Sequence, residues 1–292
     1  MLLDSMRPIR HPLEQRGHRP AHFHHYRHLD RREAKHPSEL NRVFENISST
    51  PVRNSPMIEE RGTAAVVWQQ GPQHKFYEDR YRLLCRPIPL VEKARRGEIY
   101  AVCDGVGSAP RGRDAAQEVC DVLVRFYEKS QDLLPTSEVI SSLLKQANTE
   151  IFSWGIIDGT DRAQGACAAT VVWINDNLVA TVFHVGDTSA LLIRNGTAQA
   201  LTSPHNDPAG HLVNYFGLSS LEIETKIIQL ELGDRILLLS DGISKSLYNQ
   251  TIASVVESHS RRPASLEALL RSARSAGSSD DATAVLIDIE ET

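Results

Sequence analysis

The sequence predicts an α+β fold in which sheets are covered by helix layers. Ten apolar stretches of strand length follow one another from residue 63 onward, and several are continuous enough to be buried on both faces. Amphipathic helical patterns come in two groups, after the third and after the ninth of these strands. That order breaks the strict alternation of a doubly wound sheet and fits helices packed on sheets.

The predicted strands cover residues 63–69, 81–86, 98–103, 168–174, 178–184, 189–194, 197–201, 224–230, 235–239 and 283–289, rich in Val, Ile, Leu and Thr. Asn195-Gly196 marks a tight hairpin, and Asn175-Asp176-Asn177 a looser one. The first predicted helix, 114–127, gathers Ala115, Val119, Val122, Leu123 and Phe126 on one face. The second, 136–152, does the same with Val139, Ile140, Leu143, Leu144, Ala147 and Ile151, after a capping Thr136-Ser137. Helices over 252–258 and 264–276 repeat the pattern, the latter through Leu266, Leu269, Leu270 and Ala273.

The 292 residues are 41% hydrophobic and 24% charged, an ordinary globular balance. No apolar run is long enough for a membrane span, and the polar start does not read as a secretory signal. Cys85, Cys103, Cys120 and Cys167 form no CxxC pair and read as buried thiols, hence an expected cytoplasmic location. Residues 1–60 are different: they hold 7 of the 12 histidines and 10 Lys+Arg against 8 Asp+Glu. They are expected to form a mostly disordered extension with a short helix near 37–47, and residues 61–292 the folded domain. A solvated extension is weighed above a metal- or nucleic-acid-binding tail. The acidic remainder argues against a nucleic-acid-binding body.

The chemistry-bearing signal is where carboxylates fall. Glu78-Asp79 precede a strand, Asp104-Gly105 and Asp241-Gly242 end two others, Gly186-Asp187 follow a fourth, and Asp280-Asp281 open the last. A carboxylate directly after a buried apolar run is costly unless compensated. Clustered carboxylates without partnering Cys or His favour Mg²⁺ or Mn²⁺ over Zn²⁺. His205, Asn206, Asp207 and His211 read instead as turn chemistry in a surface loop.

The order of the blocks YEDRYRLL (77–84), AVCDGVGSAPRGRDAA (101–116), GACAATVVWINDNLVATVFHVGDTSALLIRNG (165–196), LGDRILLLSDGISKSL (232–247) and SSDDATAVLIDI (278–289) resembles the metal-dependent protein phosphatase family of the protein phosphatase 2C type, in a bacterial-like branch. The resemblance implies a four-layer α-β-β-α sandwich of two antiparallel sheets flanked by helices. It implies two Mn²⁺ or Mg²⁺ ions, with a weaker third in some members. Asp104, Asp241 and Asp280 match the catalytic ligands of the first metal, Asp104 bridging both. The Gly105 carbonyl, Glu78 and Asp79 match the surroundings of the second, and Asp187 matches a ligand of the third.

The implied activity is hydrolysis of phosphoserine or phosphothreonine on a protein substrate by a two-metal-activated water, opposing a Ser/Thr kinase, with neither nucleic acid nor membrane as partner. Two departures stand out. His74, followed by Lys75, stands where many members carry a phosphate-gripping Arg, which makes His74 and Lys75 the candidate phosphate contacts. Lys245 stands where some members have a third-metal carboxylate. The alternatives are a catalytically weak or inactive binding module and a phosphatase of small molecules.

Overall fold

The structure is a computed structural model that describes residues 55–128, 136–157 and 163–291. The chain divides into Met1–Thr50 and Pro51–Thr292, and every described residue lies in the second unit. The helix expected near 37–47 falls outside the described residues.

The strands are β1 (Met57–Arg61), β2 (Ala64–Gln69), β3 (Arg80–Leu84), β4 (Glu98–Gly105), β5 (Cys167–Ile174), β6 (Val179–Val185), β7 (Ser189–Arg194), β8 (Thr197–Ala200), β9 (Glu224–Gln229), β10 (Arg235–Leu239) and β11 (Ala282–Asp288). The helices are α1 (Pro89–Ala94), α2 (Gly112–Val122), α3 (Thr136–Ile157), α4 (Asp241–Ser244), α5 (Asn249–Glu257) and α6 (Arg262–Ser275). A 3-10 segment, Leu123–Tyr127, continues α2.

Strands β1-β2-β11-β10-β7-β8 form one sheet and β3-β4-β5-β6-β9 the other. Every pairing is antiparallel. Helices α5 and α6 cover the six-stranded sheet, α2 covers the five-stranded one with α3 packed on it, and β10 and β11 meet β3 and β4 between the sheets. This is the four-layer α-β-β-α sandwich. Double coverage explains the unbroken apolar strands. In β10, Leu237 and Leu239 pack with Ile252, Val256, Leu266 and Leu269 of the helices, while Ile236 and Leu238 are equally buried on the other face.

The structure differs from the sequence reading in four places. Strand β1 begins at Met57, inside the stretch expected to be a disordered extension up to residue 60. It is a half-buried edge strand in which Met57-Ile58 run straight into Glu59-Glu60-Arg61, so it shows no apolar alternation. Its Glu59 is satisfied by Arg61 at 2.7 Å and by the Tyr81 hydroxyl at 2.9 Å. The helix expected over 114–127 changes to 3-10 geometry after Val122, and the one expected over 136–152 runs on to Ile157. Two short helices, α1 and α4, carry no periodicity long enough to read.

Register sets where the carboxylates meet. Asp104 pairs with Ala168 at the end of β4, and Val185 at the end of β6 pairs with the neighbouring Ala169. Arg80, just after Glu78-Asp79, pairs with Cys103. In the other sheet Leu239, two residues before Asp241, pairs with both Ser189 and Ala284. Asp187 lies where the chain crosses from β6 in one sheet to β7 in the other. All the acidic motifs therefore converge at one end of the sandwich.

Candidate active site

At that end lies a cavity of about 320 Å³. Its wall carries the carboxylates of Asp104, Asp187, Asp241, Asp280 and Asp281, together with the backbone of Gly105. The basic side chains on it are His74 and Lys245. Val106, Gly210 and Leu212 complete one side, so the loop after β8 closes on the site despite its surface-like composition.

Two close approaches shape the walls. Gly186 has φ +101°, and a Cβ there would lie 2.4 Å from the Cβ of Ala168; this tight turn delivers Asp187. Gly242 abuts the Asp281 carbonyl, where a Cβ would approach to 1.9 Å, so α4 presses Asp241 against the Asp280-Asp281 turn.

The carboxylates are poorly compensated. Burial, and then the neighbouring Asp79, Asp241 and Asp187, raise the Asp104 carboxyl well above the usual range. Burial, followed by Asp281, does the same to Asp79. Glu78 is also raised, by burial and Asp281 first. Asp79 Oδ1 is buried with no hydrogen-bond partner. Its Oδ2 ends a chain in which the Tyr77 hydroxyl donates to Thr283 Oγ1 at 2.5 Å and Thr283 donates to Asp79 at 2.6 Å. Glu78 and Asp79 stand beside the cavity rather than on its wall; a Cβ on Gly107 would lie 3.0 Å from Glu78 Oε2. Buried oxygen donors in excess of local positive charge fit a hard divalent cation, and the orphaned Asp79 oxygen points the same way.

The two adjacent aspartates have different partners. Asp281, almost fully buried, accepts the backbone N–H groups of Gly71 at 2.7 Å and Glu78 at 2.6 Å. Asp280 is half-exposed; Arg274 donates to its carbonyl at 2.7 Å and to Ser278, which anchors the turn. Arg274 carries no signal in the sequence, and of the Asp280-Asp281 pair the resemblance gives a role to Asp280 alone. The double Asp was visible, but which of the pair turns inward was not.

The candidate phosphate contacts separate. His74 reaches the wall, but its Nε2 lies 3.2 Å from Asp280 Oδ1, and its Nδ1 lies 3.4 Å from Asp281 Oδ1 without hydrogen-bond geometry. Lys75 is exposed over the Phe76 ring at 5.2 Å and does not line the cavity. Lys245 bridges Asp187 at 2.8 Å and Asp241 at 2.6 Å. Partial burial opposes its charge, but Asp241 and Asp187 outweigh that and raise it above the ordinary lysine range.

A second cluster lies behind the Gly186 turn. His184, His205 and Glu224 bring possible ligand atoms within 4.8 Å of one another. Each ring nitrogen is already engaged. His184 Nε2 donates to the Ser203 carbonyl at 3.0 Å and Nδ1 meets Thr170 at 3.0 Å. His205 Nδ1 accepts the Gly186 N–H at 3.1 Å, which leaves Nε2–H to donate to Glu224 at 3.3 Å. The group latches the loop to β6 and is not set up to bind metal. His205 is thus structural, whereas Asp207 makes the expected turn bonds to Ala209 and His211. The four cysteines are buried free thiols, as read from the sequence.

The sandwich with a carboxylate-lined cavity at one end defines a class of metal-site proteins, and comparison with known proteins gives the family. The sequence profile described as Protein phosphatase 2C matches residues 88–282. The serine/threonine phosphatase stp of Listeria innocua is 20% identical over 222 residues, covering 68% of this chain and 87% of its own. The crystal structure of the Mycobacterium tuberculosis serine/threonine phosphatase PstP/Ppp superposes with a TM-score of 0.65 at 20% identity, over 80% of this chain and 99% of that one. A PstP catalytic domain in complex with 2 manganese ions gives 0.65 at 20% identity, over 81% and 100%. The chain belongs to the protein phosphatase 2C family. Among the described residues no helix is long and apolar enough to cross a membrane.

Proposed function

We propose that the chain is a Mn²⁺- or Mg²⁺-dependent phosphatase that hydrolyses phosphoserine or phosphothreonine on protein substrates, opposing a Ser/Thr kinase. The observation that carries this reading is the excess of carboxylates around Asp104. A phosphate monoester is an anion, and five carboxylates against one lysine and one histidine on the wall would repel it. Divalent cations reverse that sign. When bound, two such ions supply charge neutralisation at the phosphoryl oxygens and a nucleophilic water at neutral pH.

The residues divide that work. Asp104, Asp241 and Asp280 would hold the first cation. Asp104, the Gly105 carbonyl and the Glu78-Asp79 pair would hold the second. Asp281 positions Glu78 through its backbone, and Arg274 positions Asp280. Tyr77 and Thr283 orient Asp79 and keep one of its oxygens occupied, leaving the other for the ion. His74 is turned toward Asp280 and Asp281, so the site leans on its cations for phosphate affinity. That same contact favours the second reading, a catalytically weak phosphatase-like module.

The experiment compares a phosphothreonine peptide, p-nitrophenyl phosphate and a panel of phosphorylated metabolites, each with Mn²⁺, Mg²⁺ or EDTA. Metal-dependent turnover of the peptide supports the reading. Turnover of metabolites alone reassigns the substrate class, and no turnover of any compound supports the module.

A further inference from the structure

Asp187 and Asp241 reach the cavity from opposite sheets, Asp187 at the crossover after β6 and Asp241 at the end of β10. Both side chains are mostly buried, 12% and 16% exposed, and they share one basic group. Lys245 Nζ lies 2.8 Å from Asp187 Oδ2 and 2.6 Å from Asp241 Oδ2. Local structure puts it there. Lys245 follows α4 directly and its backbone N–H bonds the Asp241 carbonyl at 3.0 Å. The two side chains are therefore one helical turn apart on one face.

We infer that the Lys245 ammonium is a built-in cation for the Asp187–Asp241 pair, closing that pair to a divalent ion, so that the cavity takes two divalent cations and not three. The inference rests on the two-cation reading of the Asp104 cluster. A divalent ion shared by the same oxygens would sit at about 2.0–2.6 Å from each, in the space that Nζ fills. It would also face a fixed positive charge at contact distance. Asp187 is thereby reassigned from metal ligand to anchor of Lys245. Asp241, with Oδ2 held by the lysine, keeps Oδ1 for the first cation.

The test is Mn²⁺ stoichiometry, read by titration calorimetry and by the electron paramagnetic resonance signal of free Mn²⁺, on the full chain. The expected result is two ions per wild-type chain and a third, weaker ion in Lys245→Asp. Lys245→Met, which removes the charge without adding an oxygen ligand, gains a third ion more weakly still. The Lys245 side chain is about half exposed, which favours folding of both variants, and circular dichroism checks it. Adding Asp187→Asn to Lys245→Asp removes the gained ion, which separates it from weak binding elsewhere on the chain. Three ions in the wild type, or no gain in a folded Lys245→Asp chain, overturns the inference and leaves the two-cation reading standing. Fewer than two ions in the wild type overturns the two-cation reading, and the inference with it.

Discussion

Replacing Asp281 by alanine unties the loop that carries His74 and Glu78. The Asp281 carboxylate is 2% exposed and accepts the N–H groups of Gly71 at 2.7 Å and Glu78 at 2.6 Å. In Asp281→Ala both donors lose their partner. Each donor left unpaired costs about 1–3 kcal/mol, with the part-buried Glu78 N–H toward the lower end, so the expected loss is roughly 2–5 kcal/mol. Part of it is offset, because Asp281 also repels Glu78 and Asp79 and raises both carboxyls. At this chain length 1 kcal/mol moves the melting temperature by roughly 2–4 °C, so the fall is on the order of 10 °C. Asp281→Asn keeps one acceptor but turns an amide N–H₂ toward the other donor, and loses about half as much. Urea unfolding followed by circular dichroism near neutral pH ranks the three proteins. An alanine variant within about 1 kcal/mol of wild type would refute the reasoning, since one lost charged hydrogen bond alone should exceed that.

Gly242→Ala forces a Cβ to within 1.9 Å of the Asp281 carbonyl; it is expected to cost about 1–3 kcal/mol and to weaken Mn²⁺ binding by displacing Asp241. Thermal melts and Mn²⁺ titration check this, and a wild-type melting temperature counts against it. For His184, burial and then His205 lower the pKa to about 4, against about 6.5 in an unfolded chain. The unfolded state takes this proton first, so its contribution is present above about pH 6.5 and is lost as pH falls toward 4. His184→Gln should flatten the stability profile over that window by up to about 3 kcal/mol, and parallel wild-type and variant profiles would contradict the assignment.

The carboxylates were legible because β4, β10 and β11 are buried on both faces. In such strands an aspartate is affordable only at an end, so the step from an apolar run to Asp104, Asp241 or Asp280 marks the sheet edge. The layers were legible from the same runs and from the spacing of the two helix groups. Strand β1 was not, because half-buried charged residues satisfied by Arg61 and Tyr81 carry no hydrophobic period. Helix α4 has four residues, too few to show one. The Lys245–Asp187 contact joins residues 58 apart in sequence, and the turn of His74 toward Asp280 joins still more distant ones. Such contacts depend on how the two sheets stack, which no local pattern encodes.

The most direct measurement takes wild type and Asp104→Asn and records both Mn²⁺-dependent hydrolysis of a phosphothreonine peptide and the melting temperature in EDTA. In the metal-free protein, burial and three neighbouring carboxylates penalise an ionised Asp104 and raise its carboxyl well above the usual range. Neutralising it should therefore raise the metal-free melting temperature, while hydrolysis falls by more than about 100-fold, beyond the loss typical of residues that only support a metal ligand. Hydrolysis unchanged in Asp104→Asn, or a metal-free protein destabilised by it, would contradict the account of this cavity as a carboxylate cluster built for divalent cations.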